Sequence, residues 1–568
     1  SPSAWADSDE TNKSTMQDFT YTANFDQVIW NPITSGQEIH LHLVGDSHLV
    51  LDSISMELNG DGTNLLVQPT TMSQTNDSSG GWVEQGTHWA THIDTSTAPP
   101  QLNLISDGHG DNKANRVEQD IGNLTYNASY TFSFRGRWIS GKPRLIVQTL
   151  DHGFGTSFRF PIPNNLGTPG IANSQLIATA APTVSKVLHS PAVPSTTDAV
   201  TITARVESSA TLTSVEVVHR LDTSTGNGTW FRSTMYDDGI SGGDEHAGDG
   251  LYTAAIIQYS SQENIVQFYV EALAGGGETT QLPKLGPDRP AMWIVDDRAM
   301  PDTLMQERFI VSQYDRDAMI ASLGDSSLYG YHFPRMSNHF FNATFISNES
   351  EVFYNAEIRK SGSGRIRDFG NSLVHGKWKL PGDRLFRERR RTAFDPSGDS
   401  ITLRYYDDRL ARYFLYLLGH PTNENEFVHW VVNGDSFKLR ENQEPISNDF
   451  LKRNWDDGTD GTLLRIDYQW RFTNDNGIDR IHRDADWSYK NSDNPVRYHS
   501  EWLMRTRETE HDYSNFVEFV RTLDSNTFDE ATINRLADRD MLCLNAAVRG
   551  YNGDFDSLTL RAGKNSYF

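Results

Sequence analysis

The chain is predicted to be a multidomain protein: two N-terminal all-β sandwiches followed by an α+β domain. Three observations predict this. Its 568 residues are more than a single hydrophobic core usually organises. The first half alternates apolar and polar side chains between clusters of Gly, Asn and Asp, as half-buried antiparallel strands do. Beyond about Met292 apolar residues recur instead at helical spacing.

The elements follow in order. In residues 1–180, Ile39-His40-Leu41-His42-Leu43-Val44, Tyr130 to Arg135 and Arg144 to Gln148 read as strands of a sandwich. The aperiodic, turn-rich stretch Asn164 to Pro169 leads to a boundary near Ala180. In residues 181–288, Ala199 to Val206, Ser214 to Arg220 and Val266 to Ala272 are strands of an immunoglobulin-like or fibronectin type III-like sandwich, with Leu282-Pro283 and Gly286-Pro287 marking its exit. In residues 289–568, helices are expected over Ser400 to Leu418, Ser500 to Leu523 and Asp529 to Val548, with strands at Thr344 to Ile346 and Val352 to Ile358.

Composition narrows the function. A formal charge of −25 argues against a long nucleic-acid interface, which needs a basic surface. One cysteine, Cys543, excludes an intrachain disulfide and a Cys-rich metal site. No run of about 18 apolar residues indicates a transmembrane helix. The opening Ser1-Pro2-Ser3-Ala4-Trp5 lacks the basic and apolar stretches of a signal peptide, as expected of a mature chain or a fragment. No carboxylate pair stands out as a glycosidase pair, and His375, His429 and His499 have no Gly-x-Ser-x-Gly partner.

Candidate sites fall in each domain. In the first, Trp82 and Trp89 are candidates to stack on sugar rings, the alternative being packing within the sandwich. In the second, Asp237, Asp238, Asp244, Glu245 and Asp249 share a Gly-rich loop, a candidate calcium site or a set of Asp-Gly turns. In the third, an ordered series runs from cations to carboxylates. Arg359 and Lys360 end a strand before a Ser/Gly-rich turn, where backbone amides can approach an anion. Lys377 and Lys379 flank Trp378, so a strand would project both from one face toward phosphates. Glu444 follows the Asn433-Gly434 turn and precedes a helix over Asn448 to Asn454; it is a candidate to pair with the lysine or hold a metal. Asp554 and Asp556 alternate on an extended segment, and the Asn565 amide is placed to complete a magnesium shell.

Three resemblances attach to these residues. The segment with Gly80 to Trp89, Leu104 to Asp111 and Asn115 to Gln119 resembles the carbohydrate-binding-module-like jelly rolls of secreted proteins, over roughly residues 40–165. The second unit resembles an immunoglobulin or fibronectin type III domain. Residues 292–568 resemble the CotH kinase family of atypical, secretory-type kinases. The motifs that carry it are Arg359-Lys360-Ser361-Gly362-Ser363, His375-Gly376-Lys377-Trp378-Lys379-Leu380, Val432-Asn433-Gly434, Glu444-Pro445-Ile446-Ser447-Asn448-Asp449-Phe450-Leu451, Gly461 to Asp467 and Asp554 to Asn565.

That resemblance implies ATP- and magnesium-dependent phosphorylation of protein serines. Lys377 or Lys379 would contact the nucleotide phosphates, with Arg359 and Lys360 beside them. Glu444 would orient, Asp554 or Asp556 would be the active-site carboxylate, and Asn565 a metal neighbour. The family continues into a Trp-Asp-x-Asp motif that is not reached by Phe568, so the domain is expected to be C-terminally incomplete. Without that carboxylate phosphoryl transfer should fall severely, which leaves a structural or adhesive surface protein, with protein or polysaccharide partners, as the alternative. The modular combination resembles large bacterial surface proteins and implies an extracellular location.

Overall fold

The computed structural model describes residues 15–26, 36–67, 72, 81–108, 115–162, 180–300, 303–322, 338–361, 376–395, 407–458, 460–466, 469–470, 481–483, 486–525, 529–551 and 567–568. The first strands are β1 (Gln17–Asn24), β2 (Gln37–Leu43), β3 (Asp46–Leu58), β4 (Val83–Glu84), β5 (His92–Asp94), β6 (Gln101–Asp107), β7 (Val117–Gly122), β8 (Ser129–Gly141), β9 (Arg144–Thr149) and β10 (Gly155–Arg159). They form antiparallel sheets ordered β1-β8-β3-β6-β5 and β10-β9-β2-β7-β4. Strand periodicity sends Ile39, Leu41 and Leu43 inward, against Leu49, Leu51, Leu102, Leu104, Phe132 and Phe134. The alternate residues Glu38, His40 and His42 face outward and are nonetheless buried.

What covers that outer face comes from the far end of the chain. Val496 packs on Val44 and Ile146. The Asn494 amide donates to the Gly155 carbonyl (2.9 Å), Arg144 Nε donates to the Thr509 carbonyl (2.7 Å), and Ser500 Oγ is hydrogen-bonded to His152 Nε2 (2.8 Å).

The second sandwich contains β11 (Thr183–Ser190), β12 (Val200–Glu207), β13 (Leu212–Leu221), β14 (Phe231–Thr234), β15 (Leu251–Ile256), β16 (Ile265–Ala274), β17 (Thr279–Leu282) and β18 (Ala291–Ile294). Its sheets run β11-β12-β15 and β14-β13-β16-β17, with β18 beside β17 on the same edge of β16. The expected exit near residue 288 therefore moves: β18 still pairs with β16, and Trp293 is buried in this core.

Next come β19 (Gln306–Ile310), α1 (Gln313–Ala321), β20 (Phe341–Ser347), β21 (Glu351–Lys360), β22 (Gly376–Lys379), β23 (Arg391–Asp395), α2 (Asp407–Leu417), β24 (Asn425–Val432) and β25 (Asp435–Gln443). The strands close a barrel in the order β19-β20-β21-β22-β23-β25-β24, sealed by the parallel pair β19–β24. Phe309, Phe345, Phe353, Trp378, Phe386 and Trp430 fill it, so the interior is packed core. A region richer in helix follows: α3 (Asn448–Asn454), β26 (Leu464–Ile466), β27 (Gln469–Trp470), β28 (Ile481–Arg483), α4 (Val496–His499), β29 (Trp502–Met504), α5 (Ser514–Asp524), α6 (Glu530–Leu536) and α7 (Arg539–Tyr551).

Two helical expectations change. The helix expected from Ser500 begins only at Ser514, because Trp502–Met504 pairs with β26 instead. The stretch from Asp529 divides at Ala537, which is extended; Asp538 then accepts from the Met541 amide and starts a new helix.

Glu307 is buried at the barrel, paired in register with Trp430, and accepts from the Asn442 amide (2.6 Å). Burial first, then Glu426, raises its pKa to about 8. A raised carboxyl binds its proton in the folded chain more tightly than in the unfolded one, so stability is full below about pH 4.5 and falls as pH rises toward 8. Glu307→Gln should abolish that decline and make the chain roughly 2–4 kcal/mol more stable than the unaltered protein at pH 8.5. Urea unfolding at pH 5 and pH 8.5 checks it, and an unchanged pH slope counts against the assignment.

Candidate functional site: a cationic face on the barrel

Strand register assembles the cations. Arg359 lies opposite Lys377, Glu357 opposite Lys379, and Lys379 opposite Arg391. Paired residues share a face, so Glu357, Arg359, Lys377, Lys379 and Arg391 stand together outside the barrel while Ile358 and Trp378 point into it. The expected common face of Lys377 and Lys379 is present, and Arg359 joins it. Lys360, in register with Gly376, falls on the other face, so the Arg359–Lys360 pair does not act as one unit.

The face is crowded with like charge. Lys379 Nζ lies 2.5 Å from Glu357 Oε2, but Glu357 is shared with Arg289, 2.6 Å from its other oxygen. The Phe340 ring lies under both Lys379 (4.7 Å) and Arg359 (5.2 Å). Burial lowers the Lys379 pKa to about 8, with Arg391, Arg289 and Arg390 pushing the same way and Asp46 opposing. Burial and Arg390 likewise lower Arg391, against Asp449, Asp46 and Glu508. Arg505, partly buried, is pushed down to about 10 by burial and then by Arg465. An anion is the ligand such a cluster favours.

Glu444 is held by other partners. It lies just past β25, where its carboxylate accepts from the Glu424 amide (3.1 Å) and pairs with Arg453. Burial raises its pKa. Glu444 is thus engaged by Arg453, and Lys379 by Glu357. Sequence reasoning missed Glu441. Its pairing with Asp395 puts it on the outward face, where it is buried and bonded to Arg412 and to the Asn425 amide, both at 2.6 Å. Glu441-Asn442-Gln443 is an unbroken polar run, so no alternation marked it in the sequence. Asp554, Asp556 and Asn565 lie outside the described residues.

The other candidates divide. Trp82 is 0% exposed within the first core and presents no ring to a sugar. Trp89 is 36% exposed; its indole N–H donates to Asp107 (2.7 Å) and its ring meets His339. In the Asp loop the carboxylates close turns. Asp237 accepts from the amides of Gly248, Asp249 and Gly250, Asp238 from Ile240 and Ser241, Asp244 from Gly239, and Asp249 from Leu251. That is the turn alternative. Among the described residues, ligand-type side chains converge within 4.8 Å elsewhere, at Glu38, His40 and Glu118.

That trio is buried, at 0–1% exposure. His40 Nε2 lies 2.9 Å from Glu38 and 3.7 Å from Glu118, while Arg116 Nε lies 2.5 Å from the same Glu118 oxygen. The guanidinium already holds the cation's place, so the trio fits an internal ion network better than a metal.

No family model matches the chain, and no curated protein matches it.

Arg116→Met should lower stability by roughly 3–5 kcal/mol, because it strands buried Glu118 beside Glu38. Zinc added to the variant should not restore it. Recovery with zinc in urea unfolding would show that the trio takes a divalent ion after all.

Proposed function

We propose that this is a cell-surface protein whose cationic barrel face holds the phosphates of a magnesium-bound nucleoside triphosphate for transfer to serine hydroxyls of a protein substrate. One observation carries the reading: Arg359, Lys377, Lys379 and Arg391 share a face across three strands, where burial and then neighbouring arginines lower the pKa values of Lys379 and Arg391. Phosphoryl transfer asks the protein mainly for positioned positive charge and a metal-holding carboxylate. Lys377 and Lys379 would hold phosphate oxygens. By the resemblance, Asp554 or Asp556 takes the serine proton as its oxygen bonds to the γ-phosphorus and the bridging bond to the diphosphate breaks. Asn565 would neighbour the metal.

A second reading, a structural or adhesive surface component, is favoured by a specific observation. Asp46 of the first sandwich, Asp449 and Glu508 act on the same cations, so internal carboxylates partly neutralise the face. A polysaccharide partner would rest on Trp89, the exposed member of the tryptophan pair. A calcium role for the Asp237–Asp249 loop has less support, since its carboxylates close turns.

Thermal melts with magnesium-ATP and with inorganic triphosphate separate the readings. A nucleotide-dependent rise in melting temperature is expected, with at least a tenfold loss of affinity in Lys377→Ala and Lys379→Ala, and labelled γ-phosphate appearing on a serine-rich acceptor. No rise with either ligand leaves the structural reading.

A further inference from the structure

A pocket lies between the first sandwich and the C-terminal region. His42, Asn115, His499, Met504, Glu508 and His511 are among the residues that line it. His42 comes from the outward row of β2, His499 ends α4, and His511 comes from the segment before α5, so the pocket exists only where the two ends of the chain meet. The imidazoles form a continuous row: ring centroids are 5.5 Å apart for His42–His499 and 5.4 Å for His499–His511. Two imidazoles on one tetrahedral ion, at metal–nitrogen distances near 2.0–2.1 Å, have centroids about 5 Å apart, close to each step of this row, in which His499 stands between His42 and His511.

The hydrogen bonding is selective. His42 Nδ1 lies 3.2 Å from the Asn115 carbonyl, which can only accept, so Nδ1 carries the proton and Nε2 keeps its lone pair. A metal-ligating histidine is held in this way by its second nitrogen. His42 Nε2 is buried with no hydrogen-bond partner, and so is His511 Nε2. Both residues are at most 5% exposed. His511 also holds a left-handed backbone (φ 52°), an uncommon conformation for a residue with a side chain. Burial lowers the pKa of His42, His499 and His511, so each offers a neutral ring. Asn115 is itself fixed, accepting from the Thr87 amide (2.7 Å).

We propose that this pocket is a transition-metal site in which His42 and His511 ligate a first-row divalent ion such as zinc, with His499 and Glu508 beside it. Imidazole nitrogens with one carboxylate suit zinc, nickel or copper rather than magnesium or calcium. The donor atoms here are not gathered within 4.8 Å as those of the Glu38–His40–Glu118 trio are, so an ion would require the rings to turn inward. The ion would clamp the C-terminal region onto the first sandwich. This does not depend on the nucleotide reading.

The test uses the full chain, stripped with a chelator and titrated with cobalt(II). One equivalent should give the visible d–d absorption of a four-coordinate ion, displaced by zinc, and zinc should raise the melting temperature. His42→Asn and His511→Asn should each weaken cobalt affinity at least tenfold while the far-ultraviolet circular dichroism is kept; Glu118→Gln should leave the band intact. If the unaltered chain gives neither band nor zinc-dependent shift, the pocket holds water only and the proposal falls, whatever the variants do. It also falls if the band survives in the His42→Asn/His511→Asn double variant or is lost in Glu118→Gln, either of which puts the ion elsewhere.

Discussion

Glu38, His40, His42, Glu118 and Gln148 stand on the outer face of a sandwich sheet, and all are buried. Taking such groups out of water is costly unless each finds a partner, so the face constrains everything laid over it. Arg116 answers the two glutamates, and Gln85 donates to Glu118 (2.5 Å). The C-terminal region supplies the cover, with Val496 over the apolar part and His499 and Ser500 over the histidines. A sandwich that would otherwise expose this face to water thus becomes the foundation for the last elements of the chain. Lys142 on Glu508 and Arg497 on Asp26 tie the edges down.

A second buried charge fixes the middle of the molecule. Arg308 of β19 is fully buried and donates to Asp296 (2.9 Å), to the Asn433 carbonyl (2.7 Å) and to both oxygens of Glu349. It joins the exit of the second sandwich to two turns of the barrel. Asn433, with φ 53° at the β24–β25 turn, locks that turn by exchanging amide hydrogen bonds with Val311. The shared core of Met292, Ile294, Ile310, Ile346 and Val352 lies beside it, and Tyr354 reaches back to bond His189 (2.6 Å). The Asn433-Gly434 motif therefore has a plain architectural use.

Strands carried by period-two alternation were legible. Tyr130 to Arg135 and Val352 to Ile358 fall on strands, and Ile39 to Val44 and Ala199 to Val206 do so but for Val44 and Ala199, because alternation is a local property of the chain. The helix over Asn448–Asn454 was legible for a similar reason. Trp502–Met504 was not, since its apolar run fits a helix or a strand and only pairing with β26 decides between them. Trp82 and Trp89 look alike in sequence, yet one closes a core and the other lies against His339. At the cationic face, the parity of Lys377 and Lys379 could be read from spacing, whereas the partnership of Glu444 with Arg453 required the barrel's register.

By itself, then, the sequence determined what short-range periodicity and composition can encode: β-rich N-terminal units, a change of texture near residue 292, an acidic surface and two lysines on one strand face. Tertiary structure decided which polar residues meet. His42 and His511 are distant in the chain and share a pocket only because the C-terminal region folds back on β2. Asp46 influences Lys379 only because the first sandwich reaches the barrel. Such contacts depend on how whole sheets pack, and the energy that selects them lies in burying a face rather than in any local stretch of residues.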